Sequence, residues 1–263
     1  TRAALAAARE ISNCEIVYVD SASRDRSVSI AAGFPVRVIR LREEWHLSSA
    51  AGRYIGFMKT EGKFVLFIDG DTVIYKGWPG AAISFLETHP TAGGVAGILH
   101  EAFVDDRGTL LRLKKNRYNQ QPGKSTVTVF GGTAMYRRKA LTEAGPFNPW
   151  VRATPELELA LRIRNKGYTL HKIYKQMAIT YAPERETIRE VVRRADSNLY
   201  AMGNTLRYAL RQGLGGRYIR ERMGFVITFG ISLAAVIGLL VSAAVTGKQT
   251  VGLVTLAAVA AVL

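Results

Sequence analysis

Short apolar runs alternate with helix-forming stretches along the first hundred residues, and this alternation constrains the fold more than any other feature. The runs are Glu15–Val19, Pro35–Ile39, Phe64–Ile68 and Val95–Leu99. Around them Thr1–Glu10 is Ala-rich, Ser27–Gly33 is short and closed by glycine, and Leu47–Thr60 and Pro79–Thr88 are helix-prone. Strands this continuous in apolar character have both faces covered, which predicts a mostly parallel sheet with helices on both sides. The pattern continues with a strand over Thr126–Phe130, helices over Arg138–Ala144 and Pro155–Lys166, and a strand over Tyr168–Tyr174. The expected α/β domain covers residues 1–182.

In such a sheet, ligands bind beyond the carboxyl ends of the strands. Asp20 stands at one such end and Asp69-Gly70-Asp71 at another. Two carboxylates one residue apart repel unless a cation or a donor compensates them. A hard divalent ion that also holds phosphate oxygens suits that need, although Asp-Gly is also common in ordinary turns. Gly70 permits a tight turn and removes a side chain that would block a ligand. Downstream of Asp20, the polar stretch through Ser21, Ser23 and Asp25 offers short acceptors for a base or ribose edge, or a cap for the helix near Ser27. The four histidines are scattered without metal-ligand spacing. The one cysteine, Cys14, allows no internal disulfide, so a reducing compartment is permitted.

Charge divides the chain into three zones. Residues 1–106 carry 11 basic and 13 acidic side chains, residues 107–222 carry 24 and 8, and residues 223–263 carry Lys248 alone. Met223–Val245 is 23 residues without a charge. As a helix it spans about 35 Å against a hydrocarbon core of about 30 Å, which predicts a transmembrane segment. Val251–Leu263 then begins a second apolar segment, cut off before it could span. Arg207, Arg211, Arg217, Arg220 and Arg222 precede the first run. Excess arginine beside a span marks the cytoplasmic side, so the α/β domain is expected to face the cytoplasm at the inner or plasma membrane. Glu184–Leu210 reads as amphipathic, with Ile188, Val191, Val192 and Leu199 against Arg189, Arg193 and Arg194. That suits helices lying among anionic headgroups over residues 183–222. A nucleic-acid partner is excluded, because it explains the charge but not the apolar run, and the aromatics are not interleaved with the basic residues.

Several blocks together resemble the family 2 glycosyltransferases of the GT-A fold. Ile16-Val17-Tyr18-Val19-Asp20 with Ser21, Ser23 and Asp25 is similar to that family's strand-Asp-x-Ser-x-Asp block. Ala51-Gly52-Arg53-Tyr54-Ile55-Gly56 resembles its Ala-Arg-Asn-x-Gly helix, with Tyr54 in place of Asn. Phe67-Ile68-Asp69-Gly70-Asp71 resembles its metal-binding Asp-x-Asp. Pro155-Glu156-Leu157-Glu158-Leu159, with Arg162 and Gly167-Tyr168, resembles its Glu-Asp-x-Asp-Leu helix. Gly131-Gly132-Thr133, leading into Ala134–Arg138, resembles its acceptor-side loop. The blocks keep the family's order over residues 10–182.

The resemblance implies a GT-A-like domain whose first strand is missing from this sequence. It implies that Asp20 and Ser23 contact the nucleotide and that Arg53 helps to hold it. Asp69 is expected on the ribose or a metal, and Asp71 on a divalent Mn or Mg ion at the diphosphate. Gly131, Gly132 and Thr133 fall on the acceptor side, and Glu156 in the place of the catalytic base, where aspartate is usual. Glu158 lies about 200° further round the helix and is the lesser candidate. The family's histidine after its last strand is absent near Tyr181-Ala182-Pro183. No Gln-x-x-Arg-Trp occurs, which argues against a processive polymer synthase.

The expectation is an inverting, metal-dependent glycosyltransferase. Its partners would be a nucleotide-diphosphate sugar, a saccharide or lipid-linked acceptor, and membrane lipid. Two alternatives stand beside it: a sugar-phosphate nucleotidyltransferase, and a membrane-anchored binding or scaffold protein with a decayed site.

Overall fold

A computed structural model describes residues 1–45, 47–105, 107–123, 126–183 and 202–246. The chain divides into two compact units, Thr1–Leu214 and Gly215–Leu263.

The first unit opens with α1 (Arg2–Arg9), β1 (Val17–Asp20), α2 (Ser27–Ala32) and β2 (Arg37–Arg40). β1 and β2 pair in parallel, Asp20 opposite Arg40, as a separate two-stranded sheet. Next come α3 (Ser49–Met58), β3 (Phe64–Phe67), β4 (Thr72–Ile74) and α4 (Trp78–Thr88). They are followed by β5 (Ala92–Val104), β6 (Leu110–Lys114), β7 (Thr126–Val127) and β8 (Ala134–Arg137). The unit continues through α5 (Arg138–Ala144), α6 (Pro155–Asn165) and β9 (Thr169–Pro183). A helix over residues 202–211, α7, completes what is described of it.

The large sheet runs β3-β8-β5-β9-β4, with β6 on β5 and β7 on β9. It is mixed, which corrects the expectation of a mostly parallel sheet. β5–β9 is its parallel pairing, whereas β3–β8, β4–β9, β5–β6, β5–β8 and β7–β9 are antiparallel. A continuous apolar run reports that both faces of a strand are covered, and a central antiparallel strand meets that condition equally well. β5 illustrates the point: Ala92–His100 are all buried, between parallel β9 and antiparallel β8. Close packing there requires glycine. A Cβ on Gly97 would overlap Trp78 Nε1 and lie 2.6 Å from the Lys175 carbonyl. Trp78, Leu86, Val95, Phe147, Leu159, Ile163 and Leu170 fill the core around this strand.

The second unit holds α8 (Gly215–Arg222) and α9 (Gly224–Thr246). α9 coincides with the uncharged run seen in the sequence, and Phe229, Ile231, Ile237 and Val241 on it are more than half exposed. Among the described residues, no single helix is long and apolar enough to cross a membrane. The pair Gly215–Arg222 and Ile227–Leu239, bent by 80°, meets the criterion together by length and composition. The transmembrane expectation is therefore not carried by a single helix of this structure. Much of the expected interface helix, over 184–201, and the second apolar segment lie outside the described residues.

Candidate active site

Three strand ends and two helix starts supply the side chains. At the end of β1, Asp20 is 1% exposed. Its Oδ2 accepts from the Ser23 backbone N–H at 2.9 Å and lies 3.8 Å from Arg40 Nε. Its Oδ1 is buried without a hydrogen-bond partner among the described residues. A buried carboxylate oxygen left unpaired is costly. The turn that follows holds Ala22 at φ +58°, a conformation that a residue with a Cβ seldom adopts.

α3 is set by its N-cap. Ser48 Oγ accepts from Ala51 N at 3.0 Å and donates to the Pro149 carbonyl at 3.0 Å. Gly52 and Gly56 face Val19 of β1, where an added Cβ would reach only ordinary contact distance. This packing sends Arg53 toward the strand ends. Its Nη2 donates to Asp69 Oδ1 at 2.8 Å and its Nη1 to Glu156 Oε1 at 2.7 Å. The Arg53 side chain is 10% exposed, and its guanidinium sits 5.2 Å from the centre of the Phe147 ring. Burial works against the Arg53 charge, but the Asp69 and Glu156 carboxylates outweigh it and hold the pKa above the usual arginine value. Tyr136, fully buried nearby, has its phenol pushed well above the usual range, by burial first and by the Glu156 charge second.

Asp69 and Asp71 have different surroundings. Asp69 serves Arg53. Asp71 accepts a 3.2 Å bond from Thr72 Oγ1, and its backbone carbonyl accepts from Tyr181 N at 2.9 Å. Asp71 lines a cavity of about 440 Å³ shared with Thr1, Ala3, Ala4, Gly70, Val73 and Tyr181. No group of three or more His, Cys, Asp or Glu side chains converges on a metal position among the described residues. Magnesium is commonly held by one or two carboxylates plus substrate phosphates rather than by an all-protein cage, and Asp71 with Asp69 are the side chains here that would hold such an ion.

The loop Gly131-Gly132-Thr133 leads into β8, whose pairing with β3 carries it across the Arg53–Asp69 pair. A Cβ on Gly132 would overlap Asp69 Oδ2 and sit 2.8 Å from Arg53 Nη2, so a side chain there would have to displace one of these two ends. A Cβ on Gly131 would lie 2.7 Å from Tyr118 Oη. Thr133 is buried.

α6 starts from Thr154 at φ +48°, with its hydroxyl oxygen buried and without a hydrogen-bond partner among the described residues. That is a strained conformation for a β-branched residue, and it immediately precedes Pro155-Glu156. Glu156, 20% exposed, reaches Arg53. Glu158 points elsewhere, as its position on the helix predicts. It is 1% exposed and paired with Arg162 through two bonds of 2.8 and 2.6 Å, and Gln212 Nε2 donates to it at 3.2 Å. Arg162 also donates to the carbonyls of Ala144 (2.7 Å), Gly145 and Pro146 (2.9 Å), fastening α6 to the segment that carries Phe147.

The structure thus joins Arg53, Asp69, Gly132 and Glu156 in one cluster. Asp20 and Ser23 stand together at the end of β1, and Asp71 faces the cavity. Phe147 and Tyr118 escaped the sequence reading, which held no signal for them. Arg162 entered it as part of the helix block, and its i+4 spacing from Glu158 signals the pair it forms.

Acidic residues at the end of β1, after β3 and at the start of α6, two of them held by one buried arginine, make up the candidate site of this α/β domain. The chain belongs to glycosyl transferase family 2, whose family model matches residues 1–145, more than half its length. No curated protein gives a match. Among solved structures, S. aureus TarS 1-349 is 17% identical, covering 88% of this chain and 70% of that one, with a TM-score of 0.56. Its complex with UDP-GlcNAc is 18% identical, covering 87% and 70%, at 0.55. GalNAc-T7 with UDP, GalNAc and Mn2+ is 15% identical, covering 64% and 38%, at 0.51. Against the longer S. aureus TarS structure the chain spans 34% of the length. At these identities the likeness is one of fold.

Proposed function

We propose that this chain transfers a sugar from a nucleotide-diphosphate donor to an acceptor hydroxyl with inversion at the anomeric carbon. The observation that carries the reading is the Arg53 bridge. One guanidinium joins the helix-borne Glu156 to the donor-side Asp69, so an acceptor base and a diphosphate motif share one cluster. TarS in complex with UDP-GlcNAc holds a nucleotide-diphosphate sugar, and GalNAc-T7 holds UDP, GalNAc and Mn2+, which supports the reading.

In this reading Asp20 and Ser23, joined in one turn at the end of β1, form the nucleobase side of the donor site. Asp71, with Asp69 beside it, would hold Mn or Mg, which when bound supplies positive charge to the leaving diphosphate. The loop Gly131-Gly132-Thr133 borders the acceptor. The acceptor oxygen attacks the anomeric carbon on the face opposite the diphosphate. The bond from that carbon to the phosphate oxygen breaks, and the hydroxyl proton passes to Glu156. The test is a panel of nucleotide sugars offered with manganese or magnesium. Release of one nucleoside diphosphate, accelerated by a hydroxyl acceptor, is expected; release of none defeats the reading.

The acceptor is proposed to be a cell-surface saccharide or a lipid-linked one, with the domain on the cytoplasmic side of the inner or plasma membrane. The arginines of α8 beside the apolar α9 support this placement. Recovery of the full chain from alkaline-washed membranes is the expected result, and its complete release by the wash counts against it.

A further inference from the structure

We propose that Arg53 is the positioning residue of the reaction centre: it aims Glu156, and through its second arm it makes that aim depend on Asp69. This rests on the glycosyl-transfer reading above and changes the part given to Arg53, from nucleotide ligand to support of the base.

Two of the three guanidinium nitrogens are committed, Nη1 to Glu156 at 2.7 Å and Nη2 to Asp69 at 2.8 Å. The Phe147 ring covers one side, and the Gly132 backbone approaches so closely that a Cβ there would lie 2.8 Å from Nη2. This enclosed charge is balanced by its two carboxylate partners. Drawing it off to a phosphate would leave two carboxylates without their cation. Arg53 therefore stays where it is when the donor arrives.

The consequence falls on Glu156. A glutamate at a helix start explores several rotamers, but the fork fixes Oε1. Oε2 has no hydrogen-bond partner among the described residues, so it is the oxygen left to receive the acceptor proton. Asp69 holds the far side of the fork, so a change at the donor motif is transmitted to the base through one rigid planar group.

The test compares Arg53→Lys, Arg53→Gln, Glu156→Gln and Arg53→Lys/Glu156→Gln in the full chain, using the nucleotide sugar that the panel identifies. A misaimed catalytic group costs about 10²-fold, so Arg53→Lys should lower kcat by about that factor while calorimetric donor affinity changes less than about threefold. Arg53→Lys should then change kcat by less than about twofold in the Glu156→Gln background, because a residue acting only through the base has nothing left to aim. Asp69→Asn should lower kcat by a smaller factor in Arg53→Lys than in the parent, because the part of its effect that passes through Arg53 is already lost there. Binding of the donor shows that each variant is folded, and Arg53→Gln replaces Arg53→Lys if the latter is not. A fall in donor affinity that accounts for the whole Arg53 effect, or an undiminished Arg53 effect without Glu156, overturns the proposal and leaves the base reading intact. Full transfer in Glu156→Gln overturns the base reading itself.

Discussion

Glu156 and Glu158 are two residues apart, yet the structure gives them separable jobs, and exchanging each for glutamine separates chemistry from stability. Glu156→Gln keeps the shape and the bond to Arg53 but cannot take a proton. A placed carboxylate base contributes about 10²–10⁴-fold, equivalent to about 3–5 kcal/mol of barrier, and transfer should fall by that factor. Glu156 is partly open to solvent and Arg53 keeps Asp69, so the melting temperature should hold within about 2 °C, under 1 kcal/mol for a chain of this size. Glu158→Gln acts in the opposite way. The carboxylate is 1% exposed and accepts two Arg162 bonds and one from Gln212. Glutamine offers one acceptor and brings a buried NH₂ that meets donors. Arg162 keeps its three carbonyls, so the loss is less than that of breaking a buried pair outright. Leaving one buried polar group unsatisfied costs about 1–3 kcal/mol, which is about 2–12 °C in melting temperature. Transfer assayed well below that melting point should fall less than about tenfold, through slackening of the Phe147 segment. Differential scanning calorimetry and single-turnover transfer on the same preparations decide. If Glu158→Gln abolishes transfer at unchanged stability while Glu156→Gln unfolds, the register of the motif is wrong by two residues.

Gly132→Ala should cost at least tenfold in transfer, because its methyl would have to displace Asp69 or Arg53; single-turnover rates equal to the parent's would refute the fit. Asp71→Asn should weaken donor binding in the presence of metal and abolish its dependence on metal concentration, both read by calorimetry across a manganese series. His100 and His171 are held below the usual histidine range, His100 by burial and then the Lys115 charge, His171 by burial and then His89. The unfolded chain then takes up protons that the folded chain refuses, so stability is full above about pH 6.5 and falls as pH drops through it. A urea midpoint that rises from pH 7.5 to 5.5 would contradict this.

Strand positions were legible wherever a run was both apolar and bounded. The observed β3 falls inside the run at residues 64–68, and β1 overlaps the run at 15–19 and extends one residue past it, to Asp20. Strand direction was not legible, because burial on two faces looks alike in parallel and antiparallel surroundings. β6 was missed because all five of its residues are exposed, so no apolar alternation toward a core marks it. β4 was missed because Thr72–Ile74 is three residues long and follows directly on the Asp-Gly-Asp turn. Thr169–Pro183 continues well past the expected Tyr174, since its second half is held by β4 and β5, partners remote in sequence.

The site was legible by residue and not by pairing, and the reason is chemical. Acidic strand ends and a helix-opening glutamate are local features that spacing can reveal. What couples them is a cation 16 residues from one partner and 103 from the other. Nothing near Arg53 in sequence reports that its fork is shared. The match to the family model ends at residue 145, before α6 begins. The proposed donor-side residues Asp20, Arg53 and Asp69 lie inside that match, and Glu156 lies outside it. Arg53 pairs with Glu156, so it ties α6 to the matched portion of the chain. Arg53 is therefore the residue where an error in either half of the assignment would surface first. A donor site misassigned at Asp69, or a base misassigned at Glu156, would each leave this buried cation bridging groups with no common task.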